Sequence, residues 1–353
     1  MAKKREYFAG ANTKTGYASC FHQIVGNKYK KVFIMKGSAG CGKSTFMKRI
    51  GERALREGFD VEYIHCSADS NSLDGVLLPE KGIAVVDGTA PHVMNMKYPS
   101  ARENIINLGE FWDESKLKSQ REELISLTDR KLACYANIYR ALSAAGSIRE
   151  IRNSLVSEAL LEKKMAGFVN RIGKKLIKPG SGEESICIQT AFNHNGFDSL
   201  PTFASAANVY LIRDKFDISY RLLEMIREYA EKVGADRIVS YDPVDFKKLE
   251  AVYFPKEDLL FVPEQKYVPG ETKKAENKPI NTARFINKGV YAEIRQKDRA
   301  AFKLYKALLE AAKQYFQEAS QLHERIERIY IRAMDFARLN DYTNKFIAEL
   351  FKS

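Results

Sequence analysis

Gly37-Ser38-Ala39-Gly40-Cys41-Gly42-Lys43-Ser44 stands between an apolar run of strand length, Lys31-Val32-Phe33-Ile34-Met35-Lys36, and a stretch from Thr45 that keeps a helical pattern to about Gly58. It matches G-x-x-x-x-G-K-[ST] at every fixed position and lies in the strand, loop, helix order that this pattern requires. Glycine permits backbone angles closed to other residues and leaves room for phosphate oxygens, while successive N–H groups at the start of a helix form a nest for an anion. The stretch therefore predicts a P-loop. Lys43 is expected to reach the β and γ phosphates of ATP, and Ser44 to bind Mg2+ through its hydroxyl. The cofactor-binding set read from the pattern is Gly37, Ser38, Ala39, Gly40, Cys41, Gly42, Lys43, Ser44 and Thr45. A thiol at Cys41 predicts that nucleotide binding is sensitive to alkylation.

A second strand is expected at Val61–His65, and a third over Gly82-Ile83-Ala84-Val85-Val86, ending in Asp87. A buried strand that delivers a carboxylate to the edge of the sheet is the Walker B arrangement, with Asp87 binding Mg2+ through water. Gly88 follows, so the acid that many ATPase motors use to activate water is missing from that place. The loop-like segments Cys66–Pro79 and Asp87–His92 fall where loops of an α/β sheet bind substrate. They make Asp69, Asp74 and His92 candidate catalytic residues beside Lys43 and Asp87, with turn and helix-cap roles as the competing explanation. His65, Cys66 and His92 form a weaker candidate metal cluster.

The chain repeats itself. Displacing it by 176 residues places Gly58 on Gly234, Asp60 on Asp236, Leu73 on Leu249, Val76 on Val252 and Pro79 on Pro255. Val32–Met35 meets Val209–Ile212, and Asn12–Tyr17 resembles Asn193–Phe197. The second copy has Arg213-Asp214-Lys215-Phe216-Asp217-Ile218-Ser219-Tyr220 in place of the loop, with no glycine, Ser219 opposite Lys43, and carboxylates turned toward any phosphate. Pro263 replaces Asp87. One live and one degenerate half follow, residues 1–180 and 181–353, with a linker at Lys178-Pro179-Gly180-Ser181-Gly182. Each half ends in a helical extension, carried by Leu124, Leu127, Tyr135, Ile138 and Leu142 in the first and by Phe302, Tyr305, Leu309, Phe316, Ile326 and Tyr330 in the second. The fold class expected is α/β, a duplicated P-loop NTPase fold with parallel-sheet three-layer cores and helical insertions.

The 353 residues suffice for two cores without disulfide or metal staples. Five scattered cysteines, Cys20, Cys41, Cys66, Cys134 and Cys187, read as free thiols, and no run approaches the length of a membrane span, so a cytoplasmic protein is expected. The net charge of +12 is dispersed rather than gathered in a basic run, which weakens the case for a nucleic-acid partner.

The Ala9-Gly10-Ala11-Asn12-Thr13 segment, the P-loop, Ser72-Leu73-Asp74-Gly75 and Asp87–His92 together resemble a family of bacterial P-loop ATPases with two duplicated NTPase-like halves. That resemblance implies ATP binding at Gly37–Ser44 in a cytosolic protein and names no substrate or acceptor; a second glycine-rich loop, frequent in that family, is missing here. A Mg-dependent ATPase or nucleotide-driven switch is the first reading. A small-molecule or nucleotide kinase is the second, and a nucleic-acid-associated NTPase the third. A GTPase is disfavoured because no Asn-Lys-x-Asp occurs, and an ABC subunit because Leu-Ser-Gly-Gly is missing.

Overall fold

The computed structural model describes residues 2–91, 94–269 and 276–352. From the N-terminus come β1 (Lys4–Phe8), the hairpin β2 (Gly10–Thr13) and β3 (Gly16–Ser19), the short α1 (Phe21–Val25), β4 (Lys31–Lys36) and α2 (Lys43–Arg56). Next are β5 (Val61–His65), β6 (Leu73–Leu78), β7 (Ile83–Asp87), β8 (Glu103–Asn107), α3 (Glu114–Ser119), α4 (Arg121–Glu158) and α5 (Glu162–Leu176). The second half runs through β9 (Glu184–Ile186), the hairpin β10 (Thr190–Asn193) and β11 (Gly196–Ser199), β12 (Asn208–Arg213) and α6 (Ser219–Val233). It closes with β13 (Arg237–Tyr241), β14 (Leu249–Phe254), β15 (Leu259–Pro263), β16 (Glu276–Asn281), α7 (Lys288–Ala333) and α8 (Phe336–Lys352).

Two six-stranded sheets result, in the orders β1-β5-β6-β7-β4-β8 and β9-β13-β14-β15-β12-β16, which correspond position for position. Neither is purely parallel, contrary to the sequence reading. β6 runs antiparallel to both β5 and β7, and β14 to both β13 and β15. The cause is connection length: only residues 79–82 join β6 to β7, and parallel neighbours need a crossover of a dozen residues or more. Leu73–Leu78, taken from the sequence as part of a loop, is therefore a strand, and all six of its residues are buried.

The compact units also depart from a division at Gly180. Unit 1 comprises residues 1–9, 19–138 and 313–353, and unit 2 comprises 10–18 and 139–312. An amphipathic helix settles against whichever core covers its apolar face. Leu339 and Leu350 of α8 join Met35, Cys41, Phe46, Met47 and Ile50 in the core of the first sheet. Val156 of α4 and Met165 and Val169 of α5 join Ile212, Leu222 and Phe261 in the core of the second. Burying each such side chain stabilises by about 1.5–3 kcal/mol, so the far end of each half's helical extension is held by the core of the other. No helix of the described residues is long and apolar enough to cross a membrane.

Candidate functional site

β4 is the strand that presents the glycine-rich loop. It lies between β7 and β8, parallel to both, with Met35 in register with Asp87. The loop after β4 and the carboxylate closing β7 therefore share one edge of the sheet. Gly40 (φ 70°) and Gly42 (φ 89°) adopt left-handed angles, and Gly42 is the residue from which α2 starts. The first amides of a helix have no partner within it, and the helix dipole adds positive potential there, so an anion fits this end.

Lys43 folds back over the loop. Its Nζ donates to the Gly37 carbonyl (3.0 Å) and the Ser38 carbonyl (2.8 Å) and stands 3.6 Å from Asp87 Oδ2, both side chains being largely buried. Asp87 Oδ1 accepts from the Thr89 amide (2.8 Å) and hydroxyl (2.6 Å). Ser44 Oγ accepts the Leu73 amide at 3.0 Å, which brings the start of β6 to the mouth of the loop. Lys43, Ser44 and Asp87 are thus gathered at one edge. A magnesium ion completed by phosphate oxygens and water would take one hydroxyl and one carboxylate as protein ligands, a donor set of the hard oxygens that this ion prefers.

The other sequence candidates fare differently. Asp69 Oδ1 accepts from the backbone and side-chain amides of Asn71, and its carbonyl accepts from Ser72, the arrangement of a turn. Asp74 is a buried residue of β6, not of a loop, because the apolar run around it carries the chain into the sheet. His92 lies outside the described residues, and among those described no three His, Cys, Asp or Glu side chains are placed to hold a metal. Cys41 is 1% exposed, and burial, against the pull of Lys43, pushes its thiol pKa up, which disfavours the thiolate that alkylation requires.

Three groups at this mouth have no signature in the sequence: Lys131 of α4 and His323 and Glu327 of α7. A Cβ on Gly40 would lie 2.8 Å from the Glu327 carbonyl oxygen, 2.9 Å from Glu327 Cγ and 2.8 Å from Ile331 Cγ1, so α7 is seated directly on the loop. The packing around His323, together with the Lys131 and Lys43 ammonium groups, holds its pKa below the ordinary value, with Asp69 opposing. Burial, helped by Asp69 and Glu324 and opposed by Lys43, raises that of Glu327. Gly40→Ala is expected to destabilise unit 1 by about 1–3 kcal/mol, because the residue keeps φ 70° and its Cβ meets a backbone oxygen that cannot swing aside. Urea unfolding followed through Trp112 fluorescence measures it, and an unchanged midpoint would show that α7 does not rest on Gly40.

The corresponding place in the second half is filled from within. Asp214 Oδ2 accepts the Ser219 amide at 2.7 Å, and Oδ1 accepts those of Phe216 and Ile218, both at 3.2 Å. A carboxylate of the chain itself thus occupies the amides at the start of α6. Arg213, at the end of β12, pairs with Glu264 at 3.2 Å.

Comparison with family models, curated proteins and solved structures gives no match to this chain.

Proposed function

We propose that the loop Gly37–Ser44 is a P-loop that binds MgATP, and that the protein is a Mg-dependent ATPase or nucleotide-driven switch with one live and one closed half. The observation that carries this reading is the Lys43 ammonium, folded between two loop carbonyls and Asp87 at the N-terminal end of α2. An incoming triphosphate exchanges those carbonyls for phosphate oxygens, which are charged and therefore bond more strongly. The loop amides cradle the phosphates, while Ser44 and Asp87 hold the magnesium ion that offsets the charge on the β and γ oxygens. The duplicated P-loop NTPase fold belongs to the same proposal, supported by the matching strand orders of the two sheets.

Phosphoryl transfer to a small-molecule acceptor is the second reading. It is favoured at Gly88, where a Cβ would stand 2.2 Å from Ile34 Cγ2, so no acid can replace the glycine without displacing a core side chain.

Calorimetric titration with MgATP is the test. One site per chain is expected, because Asp214 closes the second half. Two equal sites, or no heat of binding, would refute the proposal.

A further inference from the structure

An ATPase needs a group to orient and deprotonate the attacking water, and the place after Asp87 is closed to one by the contact of Gly88 with Ile34. The remaining carboxylates at the mouth are committed elsewhere. Asp87 accepts two hydrogen bonds from Thr89, Asp69 is tied into its turn with Asn71, and Asp74 is buried on β6.

Glu327 differs from all three. Its Cγ and carbonyl oxygen rest against Gly40, so its Cα cannot drift away from the loop without unseating α7. The side chain is only half-buried, and no hydrogen bond or ion pair engages its carboxylate among the described residues. It lies within electrostatic reach of Asp69 and of Lys43, the group expected to hold the γ-phosphate. His323, one turn earlier on α7, lies within electrostatic reach of Lys43 and of Lys131 of α4, and neither His323 nor Lys131 has a hydrogen-bonding partner among the described residues. They offer a donor and a cation to the charge that leaves the phosphorus.

We propose that Glu327 is the general base of this site, an assignment that rests on the ATP reading above. A proton of the attacking water passes to a Glu327 carboxylate oxygen as the water oxygen bonds to Pγ. The bond from Pγ to the bridging oxygen breaks, and ADP leaves with that electron pair. Inorganic phosphate is the second product, and Glu327 returns its proton to solvent.

Purified full-length protein with MgATP provides the test, reading affinity by calorimetry and turnover by phosphate release. E327Q is expected to bind MgATP within about threefold of wild type and to lose roughly 100-fold or more in kcat, the range for removal of a general base. E327D keeps a carboxylate one methylene farther back and is expected to fall more than tenfold while retaining its fold and affinity, so it decides the matter should E327Q not fold. Wild-type turnover in either folded variant would overturn the assignment and leave the ATP reading standing. ATP that is bound but never hydrolysed would do the same. Wild-type protein that binds no MgATP would overturn both.

Discussion

Replacing Lys43 by alanine is expected to abolish measurable MgATP binding while leaving the protein folded. Two charge-assisted bonds from one ammonium to phosphate oxygens are together worth about 3 kcal/mol or more, which corresponds to at least a roughly 100-fold loss of affinity. The cost to the fold is moderate. Lys43 donates to the Gly37 and Ser38 carbonyls and, at 3.8 Å, to Cys41 Sγ, and at 13% side-chain exposure water can replace it at the carbonyls. Removing it leaves Asp87 Oδ1 with its two bonds from Thr89 but takes from the buried Oδ2 its ion-pair partner. The unfolding free energy should therefore fall by about 1–3 kcal/mol, which leaves the protein folded. Calorimetry and urea unfolding on the same preparation separate the two effects. Equal affinity in wild type and Lys43→Ala would remove the phosphate site from Gly37–Ser44, and binding lost together with the fold would show that Lys43 is a structural residue.

The sequence made this site legible because its chemistry is local. The run from Lys31 to Ser44 places strand, loop and helix in order within fourteen positions, and the β-branched and aromatic letters of Val61–His65 and the continuous apolar run Ile83–Val86 sufficed to place β5 and β7. β6 escaped notice because Asp74-Gly75 interrupts it and the polar stretch Ser67–Ser72 precedes it, so the six buried residues resemble the tail of a loop. The exchange of helical extensions left no trace. Periodicity shows that α4 and α7 have apolar faces but not which core covers them, and Val156 and Leu339 find partners far away along the chain. Glu327 was hidden for the same reason: on a polar helix face nearly three hundred residues beyond the loop, it is one acidic letter among many. The closure of the second half was partly visible, since the carboxylates of Arg213–Tyr220 could be read as hostile to phosphate. That Asp214 itself accepts the amides at the start of α6 required the backbone geometry.

Arg149 of α4 makes the second large prediction, this time on stability. Its Nε and Nη2 each donate to a different oxygen of Asp217 at 2.7 Å, a bidentate pair that holds the loop before α6, and its Nη1 lies 2.9 Å from Asp242 Oδ1. Arg149 is 8% exposed, so Arg149→Ala strands two carboxylates in a poorly hydrated site. Breaking a buried pair by removing one partner costs about 3–5 kcal/mol. Lys248 softens the loss. Burial and the neighbouring Arg149 depress its pKa against the pull of Asp217, Asp245 and Asp242, so without the guanidinium its ammonium is favoured and offsets part of the stranded charge. We therefore expect the lower end of that range, read from urea unfolding by circular dichroism. Arg149→Lys should fall between, because it keeps the charge but loses the planar fork. The dependence on pH gives a second check. Burial works to raise the Asp242 pKa, but Arg149 and Lys266 outweigh it and hold the group below its ordinary 3.8. A depressed carboxylate contributes stability that is fully present above the unfolded pKa and is lost as pH falls through the folded one. The gap between wild type and Arg149→Ala should thus be constant at neutral pH and shrink under acid conditions, as Asp242 takes up its proton in the variant before it does so in wild type. A gap that is absent at neutral pH, or that widens on acidification, would mean that Arg149 does not hold this part of the second half together.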